Sequence, residues 1–363
     1  MYKWLLAMAR RTFMSSSVLH LQEKDDLHKG DRYASIPDRH ILELEGPDTA
    51  KFLQGLITNH MPLISAGGDG FFTAFLTPQG RMLSDAFIYP VNTGVNFVHP
   101  KFVMDVPANS ASTVLRHLKR YVLRSKVKIR DATEEYSVWN IWGHASIPSS
   151  SNLELVKKEK RISDIGARDP RLPGLGYRTV LKRDQDISSI LPSGNFEQVG
   201  PSEYTVRRLL HGIPEGTKDL WPEQSLPLES NFDYMNGVDF RKGCYIGQEL
   251  TIRTYHTGVV RKRIVPIQIY KAEEEAPTAQ FVDRNMQWSL EPQMEIKLAD
   301  GSGKRSVGKL CSGVHNVGLA LMRLEYVKKC VAGEDIAFTV PGADNICVRP
   351  FLPDWWTTEE DKV

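Results

Sequence analysis

Cysteine is scarce in this 363-residue chain. Its four thiols, at Cys244, Cys311, Cys330 and Cys347, are too few and too far apart to staple a fold. Close ligand pairs of the CxxC or HExxH kind are missing, so no local motif can build a four-ligand zinc or iron–sulfur site. Apolar runs stop short of the roughly 18 residues that a membrane helix requires, which argues against a membrane partner. Charge of one sign is also missing in bulk: 46 Lys and Arg face 44 Asp and Glu, a net of +2. Such a balance carries no global signature of a nucleic-acid partner. Acids are absent from residues 1–22, which hold Lys3, Arg10 and Arg11; without those three cations, 43 remain against the 44 acids.

What is present is ordinary globular composition, 41% hydrophobic and 25% charged, ample for a large core and two or three domains. Residues 1–22 add serines at Ser15, Ser16 and Ser17, and place Trp4, Leu5, Met8 and Phe13 where a helix would be amphipathic. That pattern is expected of an organelle transit peptide and directs the chain to the mitochondrial matrix, where reducing conditions leave the four cysteines as free thiols.

Residues 40–45 alternate as a strand, and Gly46-Pro47-Asp48 starts a helix whose Ala50, Leu53 and Ile57 share a face. Residues 71–98 read as strands broken by Pro78-Gln79-Gly80 and Asn92-Thr93-Gly94, and Ser110 opens a helix lined by Val114, Leu115, Leu118 and Val122. Further strands are expected at residues 126–129 and 136–142. Meander strands alternating with helices that cover one sheet face argue for an α+β fold with ferredoxin-like packing. After Val260 helical periodicity fades. Short strands at 264–269, 294–298, 306–310, 317–322 and 335–340 suggest a small barrel, with residues 271–293 inserted as a solvated loop.

Several motifs fail on their mechanics. Gly301-Ser302-Gly303-Lys304 is followed by Arg305 where a phosphate loop needs Ser or Thr, so it reads as a hairpin turn. Gly67-Gly68-Asp69-Gly70 precedes strands rather than a helix and reads as a tight turn. The run of Arg253, Tyr255, His256, Arg261, Lys262 and Arg263 could grip RNA phosphate, but a solvated strand edge is the plainer reading.

One segment differs. In Arg241-Lys242-Gly243-Cys244-Tyr245-Ile246-Gly247-Gln248-Glu249 the cysteine stands between two glycines, so the backbone can bend while the thiol projects. Arg241 and Lys242 would favour the thiolate, the form that binds metal. A core cysteine has no use for such charged neighbours.

The Lys242–Glu249 segment resembles the KGCYxGQE signature of the YgfZ-type proteins, relatives of the glycine-cleavage aminomethyltransferase (T-protein, GcvT) folate-binding family. The resemblance extends through Leu44-Glu45-Gly46-Pro47-Asp48, Phe52-Leu53-Gln54-Gly55-Leu56, Thr77-Pro78-Gln79-Gly80-Arg81, Asp169-Pro170-Arg171 and Gly318-Leu319-Ala320. It implies a GcvT-like three-domain cloverleaf around a central cavity: two ferredoxin-like α+β domains, interleaved over residues 30–250, plus a small C-terminal β-barrel over 251–363. It also implies a mitochondrial iron–sulfur cluster assembly factor that is monomeric alone and has no turnover of its own. Such a factor works with an A-type (IscA-like) carrier to mature 4Fe-4S proteins such as aconitase and lipoyl synthase. Cys244 would be one ligand of a transient 2Fe-2S-type cluster shared with that partner, in a motif of Lys242, Gly243, Cys244, Tyr245, Gly247, Gln248 and Glu249.

The alternative is a folate-dependent one-carbon transferase or a folate-binding regulator, with tetrahydrofolate in the central cavity and Asp85 as polar anchor. In Arg207-Arg208-Leu209-Leu210-His211-Gly212, however, Leu210 stands where the transferases carry a pterin-binding carboxylate. An apolar pocket is then expected where the ring would lie. A third reading, an RNA-modification accessory protein using residues 261–263, fits poorly with the near-neutral charge.

Overall fold

The alternating and fully apolar runs of the sequence become strands that share one buried centre. The computed structural model describes residues 21–23, 30–91, 100–143, 162–191, 194–301, 305–343 and 345–356. In chain order β1 (Leu21–Glu23), β2 (Arg32–Ser35) and β3 (Arg39–Glu45) lead to helix α1 (Thr49–Gln54). Strands β4 (Phe71–Leu76), β5 (Met82–Pro90) and β6 (Lys101–Pro107) precede α2 (Ala111–Val122) and β7 (Lys128–Asp131). Then come β8 (Tyr136–Trp142), β9 (Gly166–Arg168), β10 (Tyr177–Lys182), β11 (Glu197–Gln198), α3 (Pro201–Leu210) and α4 (Gln248–Thr257). The last part holds β12 (Lys262–Lys271), β13 (Phe281–Asp283), β14 (Glu295–Leu298), β15 (Gly308–Val314), β16 (Val317–Arg323), α5 (Leu324–Val331), β17 (Phe338–Thr339) and β18 (Ile346–Pro350).

The first sheet has the order β4-β5-β6-β3-β7 and the second β11-β2-β8-β10-β9, while β12-β16-β15-β14-β17-β18 close into a barrel. The chain thus enters the second sheet with β2, builds the first, and returns to the second with β8. Helices α1 and α2 pack Phe52, Leu53, Val114 and Leu118 on one face of the first sheet. Its opposite face, with Phe72, Phe87 and Val103, joins a core shared with the second sheet and with barrel residues Cys311 and Leu319. Burial on both faces explains why β4 and β5 are apolar almost throughout instead of alternating.

Residues 271–293 are not the solvated loop expected. Strand β13 lies within them and pairs antiparallel with β1, and Val282 is fully buried. Trp288 lies flat against the barrel, so close that a Cβ on Gly313 or Gly318 would come within 2.1 or 2.5 Å of its ring. Glycine on β15 and β16 therefore makes room for an indole supplied by the insertion. Helix α5, inside the region read as strands only, is eight residues long and too short for a 3.6-residue period to show. The boundary expected between residues 250 and 251 falls within α4, and the first barrel strand starts at Lys262.

Of the expected leader, residues 1–20 lie outside the described residues, whereas Leu21 and Gln22 pair with Asp283 and Val282. A chain starting at residue 21 is expected to melt with the full-length chain. One starting at residue 24 leaves β13 without its partner and is expected to melt about 2–4 °C lower, read by circular dichroism, for a loss of about 1 kcal/mol.

Candidate functional site

The Lys242–Glu249 segment is fastened to the first sheet's unit at several points. Asp239 N–H donates to Thr58 O at 3.0 Å and Ile246 N–H to Gly55 O at 3.1 Å. The Lys242 ammonium has three N–H donors and no acceptor. It meets three backbone carbonyls, Gln54 at 2.8 Å, Ile57 at 2.6 Å and Asn59 at 2.8 Å, in the turn that ends α1. Its Nζ also lies 4.8 Å from the centre of the buried Tyr245 ring. Tyr245 N–H donates to Gln248 Oε1 at 3.2 Å, which closes the loop on the first residue of α4. Glu249 lies in the first turn of α4, where a carboxylate complements the helix dipole.

Two expectations are corrected here. Lys242 is buried and bonded to carbonyls, so it is a clamp for the loop rather than a charge directed at the thiol. Burial pulls its pKa down to about 7, against an upward pull from Asp239. The conformationally required glycine is Gly247, not Gly243. Gly247 has φ +79° and a Cβ there would meet Thr77 O at 2.2 Å, whereas a Cβ on Gly243 would meet nothing within 4 Å. Gly247 thereby packs its backbone on the Thr77–Gly80 turn, and Cys244 projects from the fastened loop.

Cys244 is exposed, while Cys311, Cys330 and Cys347 are buried free thiols whose pKa values are raised by that burial. Among the described residues no group of three His, Cys, Asp or Glu side chains could hold a metal ion. Cys244 can therefore contribute one ligand to a metal group completed by another molecule.

Asp85 has a different place. It is 1% exposed, receives Arg39 Nη1 at 3.3 Å and accepts from Gly216 N–H at 3.2 Å. It belongs to a buried ionic hub that composition could not reveal. Arg178 donates to Asp105 at 2.8 and 2.9 Å, and Arg39 pairs with the same carboxylate. Arg171 bridges Asp169 at 2.7 Å and Glu215 at 2.6 Å, and Tyr204 O–H donates to Glu215 at 2.6 Å. Arg208 pairs with Asp219 at 2.6 Å, and Asp219 in turn accepts from Ser312 N–H of the barrel at 2.8 Å. Burial by itself would raise the Glu215 pKa, but Arg178, Arg171, Arg39 and Arg208 together hold it well below the usual carboxylate range. At Asp85 burial prevails over Arg39 and its pKa is raised.

A cavity of about 750 Å³ opens where the three units meet, lined by Arg39, Tyr204, Arg208, Glu215, Trp288 and Ser312 among others. Its walls mix these charged and polar groups with apolar ones such as Ile36, Pro107 and Leu290. Leu210 is fully buried in the shared core, and neither it nor Asp85 lines the cavity. The residues present do not fit a folate ring anchored through those two positions. The basic run also divides: Arg253, Tyr255 and His256 lie on α4, not on a strand edge. Arg263 is buried against Asp233, with contacts of 2.7 and 2.8 Å, and is withdrawn from any phosphate. Most of the Gly301–Lys304 turn, from Ser302 on, lies outside the described residues.

Residues 261–358 match the family model described as CAF17, C-terminal beta-barrel domain, and residues 39–154 match the GCVT N-terminal domain. The iron-sulfur cluster assembly factor IBA57 homolog, mitochondrial, of Neosartorya fischeri is 42% identical over 351 residues, covering 90% of this chain and 76% of its own. The protein of that name from Mycosarcoma maydis is 35% identical over 364 residues, covering 91% and 86%. Among solved structures, the glycine cleavage system aminomethyltransferase T of Bartonella henselae superposes with a TM-score of 0.61 at 13% identity, over 92% of this chain and 88% of that one. At that identity the likeness is one of fold.

Lys242→Met removes the ammonium and orphans three carbonyls. It is expected to destabilise the protein by about 2–4 kcal/mol in urea unfolding and to speed amide exchange across residues 242–247. Arg178→Met leaves Asp105 short of a cation and is expected to cost about 3–5 kcal/mol. Because the Glu215 pKa is depressed in the folded state, its stabilisation is present above the unfolded value of about 4.3 and is lost as pH falls toward the folded value. The urea midpoint is therefore expected to drop below that pH in the wild type and to drop less in Glu215→Gln.

Proposed function

Because the chain belongs to the IBA57 family of mitochondrial iron–sulfur cluster assembly factors, we propose that Cys244 supplies one thiolate to a 2Fe-2S-type cluster shared transiently with an A-type (IscA-like) carrier. The cluster is cargo, passed on toward 4Fe-4S proteins of the matrix such as aconitase and lipoyl synthase, and the factor has no turnover of its own. The observation that carries this reading is the exposure of one cysteine on a fastened loop, with no further metal ligands gathered around it among the described residues. A lone thiolate completes a shared site but cannot retain a cluster by itself. Ligation releases the thiol proton and requires no electron transfer. The folate reading finds no support in the placement of Asp85 and Leu210.

Anaerobic mixing with a cluster-loaded A-type carrier, followed by visible absorption and size exclusion, tests the assignment. Cys244→Ser is expected to fold normally and to give no cluster-bearing complex, since a serine oxygen is a poor match for iron that prefers thiolate. Single Cys311→Ala, Cys330→Ala and Cys347→Ala variants are expected to keep it. An unaltered complex with Cys244→Ser would overturn the ligand role.

A further inference from the structure

Few large hydrophobic side chains are exposed among the described residues, and three of the five share one groove. Leu63, Leu123, Tyr255, Val259 and Val331 are the exposed ones among the described residues. Tyr255, Val259 and Val331 line one groove at the far end of α4. Leu123 lines an open hollow of about 790 Å³ with Phe52, Leu56 and Ile246, flanked by Lys51 and Arg124. Ile246 is two residues beyond Cys244, so its Cα lies within about 7 Å of the cysteine's. The hollow therefore borders the loop that carries the thiol.

Leu123 is the most exposed of the five, at 84%, and its backbone has φ 42° and ψ −109°. Ser125 N–H donates to Val122 O at 2.8 Å. These values place Leu123 at the first central position of a type II′ turn, where glycine is favoured. A branched apolar residue that is both strained and solvated gains nothing from the isolated fold, and strain of this kind concentrates at binding sites. The chain segment that carries it is basic: residues 106–130 contain seven Lys or Arg and no Asp or Glu. In the hollow itself Asp48 is the acid, and its carboxylate accepts from Lys126 N–H at 2.7 Å.

We propose that this hollow is the docking surface for the protein that shares the Cys244 cluster, and that it takes an apolar knob ringed by carboxylates on that partner. The proposal rests on the Cys244 reading above. An apolar floor offers nothing to a phosphodiester, whereas a basic rim around an apolar centre fits the usual division of a protein interface into dry core and polar edge. A standard interface of about 800 Å² per partner, centred on Leu123, takes in the hollow and the Ile246 end of the Cys244 loop.

The test measures binding of an A-type carrier, apo and loaded with a 2Fe-2S cluster, by anaerobic calorimetry at two salt concentrations. Leu123→Gly is expected to keep or raise the melting temperature while weakening carrier binding about tenfold or more. The double change Lys51→Glu with Arg124→Glu is expected to weaken binding similarly and to remove most of its salt dependence. Cys244→Ser is expected to retain apo-carrier binding and lose only the cluster-bridged complex. If both hollow variants bind as the wild type does while the wild type forms the bridged complex, the docking surface is wrong and the Cys244 reading stands. If the wild type forms no bridged complex, the Cys244 reading fails, and the hollow fails with it unless Leu123→Gly still weakens apo-carrier binding. Tight binding of single-stranded RNA lost on charge reversal but kept by Leu123→Gly, or wild-type self-association abolished by Leu123→Gly, would overturn the proposal in favour of a nucleic-acid patch or a second copy of the chain.

Discussion

The protein is organised around a desolvated ionic hub. Arg39, Arg171, Arg178 and Arg208 are buried together with Asp85, Asp105, Asp169, Glu215 and Asp219. Charges taken out of water are tolerable only when each finds partners of good geometry, and here those partners come from different units. Asp105 belongs to the first sheet, Arg178 to the second, Arg208 to α3, and Asp219 holds the amide of Ser312 in the barrel. Separating any two units would strand a buried charge. Burial outweighs the nearby Arg39 at Asp85, whose pKa is raised.

A rigid centre of this kind makes the periphery useful. Besides its own bond between Tyr245 and Gln248, the loop bearing Cys244 is held by the carbonyls at the end of α1, through Lys242, and by the turn beneath Gly247. Groups that must meet a partner in fixed geometry are best placed on such supported segments, because the ordering entropy has already been met on folding. The barrel is likewise locked, by the Trp288 indole laid over Gly313 and Gly318.

Position in the family bounds the chemistry without completing it. The fold is shared with an aminomethyltransferase, yet in this chain arginines and glutamate line the cavity between the units and Leu210 is sealed in the core. The chemically distinctive feature instead lies on the surface, at the thiol. A scaffold shared with an enzyme thus presents an exposed thiol, which is a matter of site rather than of fold.

By itself the sequence determined the α+β class, the late barrel, the helix after Gly46-Pro47-Asp48 and the singular character of Cys244, because each is written in local periodicity or in a contiguous motif. Only the tertiary structure decided that Lys242 clamps carbonyls, that Gly247 rather than Gly243 is obligatory, that residues 271–293 pack on the barrel, and that Asp85 is part of a salt-bridge hub. The reason is sequence separation. Arg39 meets Asp105 and Glu215, and Trp288 meets Gly313 and Gly318, across stretches of chain over which no spacing rule extends. A charge or an indole reads alike along the chain whether it ends in water or against a partner, and that difference is settled by which surfaces the fold brings together.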